Sequence, residues 1–109
     1  MRALYLLAGL TLVSEGLAAQ SPVKVKEEAP GLLAQAKVSA DSALKVALAR
    51  VPNARMKSGE IEKENGKLVY SFDLVVAGKK GIEEVQVDAF TGQVVAVEHE
   101  SAEEEAKEP

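Results

Sequence analysis

A chain with a single histidine and no cysteine has little from which to build a catalytic centre. The residues whose types could do chemistry are His99, Asp88, Ser39 and Ser42. A histidine acts as a general base or metal ligand only beside partners, and His99 stands alone at the edge of an acidic run rather than inside a ligand motif. It reads as an ordinary surface residue. Ser39 and Ser42 lie at no spacing from a base that would make either a nucleophile, and both fit the start of a helix. Asp88 precedes a Thr91-Gly92 turn, where a carboxylate accepts the backbone N–H of Thr91 or Gly92. The sequence therefore predicts a protein that is not an enzyme, with no catalytic, metal-binding or cofactor-binding residue and no cofactor.

Charge narrows the partner classes. The formal net charge is −4, and from Glu98 onward six glutamates stand against Lys107 alone. Residues 20–97 are close to neutral, at about +1, and form no basic patch of the kind that nucleic acid or anionic lipid requires. The expected partners therefore include neither nucleic acid nor, once a leader is removed, membrane.

The N-terminus has the pattern of a secretory signal. Arg2 supplies the positive start and Ala3 to Val13 the apolar run. Ser14, Glu15 and Gly16 end that run well short of the roughly 20 residues a membrane span needs. Gly16 and Ala18 provide the small residues a signal peptidase reads, with cleavage after Ala18 or Ala19. This predicts a signal peptide over 1–19 and a periplasmic or secreted mature chain of on the order of 90 residues, enough for one domain. Without cysteine, no disulfide supports its core.

Residues 20–37, with two prolines and alternating charge up to Gly31, have the composition of a linker. Leu32 to Lys37 fits either a short helical turn or the end of that linker. The signals then sharpen. Ser39 is a helix cap, Asp41 falls in the first turn and Pro52 stops the helix. Ala40, Ala43, Leu44, Ala47, Leu48 and Val51 recur at helical spacing and define one apolar stripe, leaving Lys45 and Arg50 to water.

After Pro52 the period becomes alternating. Glu60 to Glu64 is a polar strand with one apolar contact at Ile61, and Asn65-Gly66 is a strong hairpin signal. Leu68, Tyr70, Phe72, Leu74 and Val76 share one face of the next strand, with Ser71 and Asp73 on the other. Tyr70 and Phe72 read as core, and Gly66 and Gly92 as turn glycines. Val85, Val87 and Ala89 alternate with Glu84, Gln86 and Asp88 in a third strand. Val94 to Val97 forms a last strand, apolar on both faces, which suits a covered second side or self-association. The predicted fold class is α+β, one amphipathic helix packed on a three- to four-stranded antiparallel meander. Residues 38–99 form the domain and 100–109 a disordered acidic tail.

The helix ending in Val51-Pro52, the Glu60-Ile61-Glu62 strand, Asn65-Gly66-Lys67-Leu68-Val69-Tyr70, Glu84-Val85-Gln86-Val87-Asp88-Ala89 and Thr91-Gly92-Gln93-Val94 together resemble a PepSY domain. The most specific element is Val87-Asp88-Ala89-Phe90-Thr91-Gly92, in which Asp88 matches the family's recurrent acidic position. The resemblance implies a module found in propeptides of thermolysin-like metallopeptidases and in exported or membrane-attached bacterial proteins, where it restrains peptidases. It implies here a free-standing, exported, non-catalytic domain whose partner is a peptidase or another exported protein. The alternative is a structural or assembly module acting as a homo-oligomer.

Overall fold

The computed structural model describes residues 23–101. The segment read as a signal peptide and most of the acidic tail lie outside them.

The central helix, α2 (Ala40–Arg50), forms where its boundary residues dictate. The Ser39 hydroxyl accepts the Ser42 N–H at 3.1 Å, and Ser39 keeps an extended backbone as a cap should. Asp41 in the first turn and Arg50 in the last both complement the helix dipole. The residues at its deepest seam are small: Ala40, Ala43 and Ala47 are buried, while Leu44, Val46, Leu48 and Val51 are half-buried and flank them. The helix thus approaches the sheet closely along alanines, and the leucines expected in the stripe sit on its shoulders. Lys45 and Arg50 are exposed, as their position off the stripe predicts.

The sheet has five strands, not three or four, and there are two helices, not one. β1 (Lys26–Glu27) and the short helix α1 (Leu32–Gln35) precede α2, and β2 (Ala54–Glu64), β3 (Lys67–Val76), β4 (Ile82–Asp88) and β5 (Val94–Glu100) follow it. The spatial order is the chain order. β2 to β5 form an antiparallel meander, whereas β1 pairs parallel to β2 through Lys26 opposite Glu60 and Glu27 opposite Ile61. The additional strand comes from the segment whose composition suggested a linker. Its polar residues are used structurally: Glu27 accepts the Leu33 N–H at 2.7 Å and Glu28 accepts the Lys63 N–H at 3.0 Å. Leu32–Gln35 is helical, and Leu32 is buried in the common core.

β2 starts six residues before the strand read from the alternation. Its first half, with Arg55, Lys57 and Ser58, carries little apolar signal, but β3 supplies pairing for its whole length from Ala54 opposite Val76 to Glu64 opposite Lys67. Asn65 and Gly66 both have positive φ, 50° and 79°, and turn the chain directly into β3. β5 likewise extends past Val97 through Glu100, which pairs with Ile82, so the acidic run begins inside the sheet.

On the helix face Ile61, Tyr70 and Val87 lie in one row and Gly59, Phe72 and Val85 in the next. Tyr70 and Phe72 stack with ring centroids 5.9 Å apart, both fully buried. A Cβ on Gly59 would stand 3.0 Å from Phe72 Cδ1, so glycine makes room for that ring.

Candidate binding edge and the Asp88 turn

Asp88 ends β4 and organises the turn into β5. Its carboxylate accepts the N–H of Phe90 at 2.8 Å and of Thr91 at 3.1 Å, while its backbone carbonyl accepts the Gly92 N–H at 2.8 Å. Of the two residues expected to donate to the carboxylate, Thr91 does so; Gly92 bonds the main chain instead. The Phe90 and Thr91 N–H groups, aided by Lys67, hold the Asp88 carboxyl below its ordinary range against the opposing push of burial. Ala89 is buried beside it, and its carbonyl accepts both the Lys37 and Val38 N–H groups at 2.9 Å. The turn therefore fixes the connection between α1 and α2 as well as the start of β5. Phe90 projects from it and is 52% exposed.

His99 lies opposite Glu83 across β4 and β5, with its Nδ1 2.5 Å from a Glu83 carboxylate oxygen. Ser39 caps α2, and its hydroxyl donates to Ser42 Oγ at 3.2 Å. Asp88, His99 and the two serines are not brought together. Among the described residues no group of three or more His, Cys, Asp or Glu is placed to hold a metal ion. No described helix is long and apolar enough to cross a membrane.

The sheet face away from α2 carries a feature that residue-by-residue reading missed. Register places Glu60 beside Ser71, Asp73 opposite Glu84, and Glu84 opposite Glu98, all on this side. Ser71, nearly buried, donates its hydroxyl to Glu84 at 2.6 Å, and Gln86 Nε2 donates to Glu62 at 3.5 Å. Burial first, and then the charges of Glu60, Glu64, Glu28 and Glu84, pushes the Glu62 carboxyl up to about 7. The signal was available in the sequence: acids two apart on a strand share a face, as at Glu60, Glu62 and Glu64 and again at Glu98 and Glu100.

β5 is an edge strand whose outer rim no described element pairs. Val94 and Ala96 pair with Val87 and Gln86 around a register shift that leaves Val95 without a counterpart. Val97 lies opposite Val85 on the helix side. Val95 is 44% and Val97 38% exposed, so the strand offers apolar side chains on both faces beside unpaired backbone. Next to Val97, where α2 has ended, a groove of about 480 Å³ is lined by Val51, Pro52 and Val76 with Arg50, Lys79 and Glu83 at its sides.

The described residues form an α+β fold with an open sheet edge at β5. Residues 37–98 match the family model described as "Peptidase propeptide and YPEB domain", and the chain belongs to this family, PepSY. Its domains are generally non-catalytic, propeptide or inhibitor-like modules associated with peptidases and typically extracellular. No curated protein and no solved structure matches the chain.

Proposed function

We propose that this protein is exported by its N-terminal signal, loses residues 1–19, and acts as a non-catalytic domain that binds and restrains a peptidase or another extracytoplasmic protein. The observation that carries the reading is the β5 edge. Unpaired strand backbone flanked by the exposed Val95 and Val97 is the arrangement through which an extended segment of another protein adds to a sheet. The family's association with peptidases supports a peptidase as the partner. The acidic run after β5 serves solubility.

The test is titration of the purified mature protein into a thermolysin-type metallopeptidase and into the peptidase fraction of an extracytoplasmic extract, with capture of the complex. Progressive loss of peptidase activity with a stoichiometric complex is expected. Unchanged activity together with no captured partner would sink the reading. N-terminal sequencing of exported material tests the leader, and an intact Met1 contradicts it.

The same exposed valines support a second reading, self-association through β5. Sedimentation of the isolated protein separates the two: a tight dimer that ignores peptidases favours the assembly role.

A further inference from the structure

We propose that the β5 edge takes an extended partner segment in which basic and apolar residues alternate, the basic side chains lying beside Glu98 and Glu100 and the apolar ones beside Val97. This rests on the binding role above and specifies the chemistry of the segment bound.

A strand added to β5 would lie about 4.8 Å from it and place successive side chains on opposite faces of the sheet. The two faces of β5 differ sharply. On the side away from α2, Glu98 stands directly opposite Glu84, and Glu100 follows two residues on. Like charges facing each other across a ladder are unfavourable, and a cation placed beside them relieves the repulsion. On the helix side, Val97 borders the groove formed by Val51, Pro52 and Val76; its one carboxylate, Glu83, is already paired with His99, and Arg50 and Lys79 outnumber it, which disfavours a second cation there. Basic groups are thus directed to one face and apolar groups to the other, which is an alternating segment. A second copy of β5 is the poorer occupant, because it brings another Glu98 and Glu100 to the rim that already carries them.

The experiment uses the full chain and two capped peptides, Lys-Val-Lys-Val-Lys-Val-Lys and Glu-Val-Glu-Val-Glu-Val-Glu, at neutral pH. The basic peptide is expected to bind at least about tenfold more tightly, to lose affinity as salt rises, and to slow hydrogen exchange at Ala96, Val97 and Glu98. Glu98→Lys combined with Glu100→Lys should reverse the preference. Should that variant fold poorly by circular dichroism, Glu98→Gln with Glu100→Gln should bind both peptides alike. Equal affinity of the unaltered protein for the two peptides, protection away from β5, or a peptide-independent dimer protected at β5 each overturns the proposal. Its failure is distinguishable from that of the proposed function. Peptidase restraint with protection elsewhere removes only the β5 assignment, whereas selective β5 binding without restraint of any peptidase removes only the peptidase role.

Discussion

The Tyr70 hydroxyl donates to the Val38 carbonyl at 2.6 Å, joining the middle of the central strand to the residue just before the cap of α2. The contact crosses between the two layers of the fold at the point where the helix begins. Burial of the phenol also raises its pKa above the ordinary value of 10.0.

Tyr70→Phe keeps the stacked ring on Phe72 but removes this donor. The expected loss is about 1 to 2 kcal/mol, because the Val38 carbonyl exchanges a protein partner for incomplete hydration. Urea melts of the two proteins read it. A variant as stable as the parent would show that the bond contributes nothing net.

Asp88→Asn retains an oxygen for the turn without charge assistance and should cost about 1 kcal/mol; Asp88→Ala, which leaves two N–H groups unpaired, should cost about 2. The pH dependence follows from direction. The folded carboxyl titrates below its ordinary 3.8, so its stabilisation is present above that value and disappears as pH falls through the folded one. Acid melts of the parent and Asp88→Asn should therefore converge at low pH. Parallel curves down to the acid limit would contradict the assignment.

Glu62 works in the opposite sense. Its carboxyl is raised from 4.5 to about 7, so the protonated form is favoured in the fold. Its contribution to stability is full below the unfolded value and is lost as pH rises from there through about 7. Melting temperature should rise on acidification across that window. Glu62→Gln should flatten the rise and be the more stable protein at alkaline pH. A pH profile identical to the parent's would show that Glu62 titrates normally.

Packing predicts an inversion of the usual expectation for α2. Ala47→Leu, at a fully buried position on the seam, should cost about 1 to 3 kcal/mol or more through overpacking. Leu48→Ala, on a half-buried shoulder, should fall at or below the low end of the roughly 2 to 5 kcal/mol found for buried leucines. Denaturant melts decide the ranking, and a larger loss at Leu48 would mean that the helix sits rotated from this position.

Most of the layered architecture was legible because its determinants are local and periodic. Ser39, Pro52, Asn65-Gly66 and the Tyr70-Phe72-Leu74 alternation each carry their own signal. What escaped depends on pairing. Lys26 and Glu27 look like linker until Glu60 and Ile61 lie beside them, and the first half of β2 becomes a strand because β3 runs its full length. The apolar stripe of α2 gave its face correctly but not its depth, since small and large residues count alike in a period. The Asp88 turn was visible because its donors lie within three residues; of the carboxylates around Glu62, Glu60 and Glu64 share its strand and were legible from their spacing, whereas Glu28 and Glu84 are brought to it only by register.

The parallel seating of β1 on β2 bears on how the chain folds. Every other strand pair is joined by a short turn, so its loop closes at little entropic expense, whereas the Glu28–Lys63 contact spans 35 residues and requires the helices to be in place. The meander with α2 is then expected to acquire structure in the transition state, and the lead-in to dock on the downhill side of the barrier. Destabilising substitutions at Glu27 or Glu28 should accelerate unfolding while leaving the refolding rate nearly unchanged, and in a chevron plot they would move one limb only.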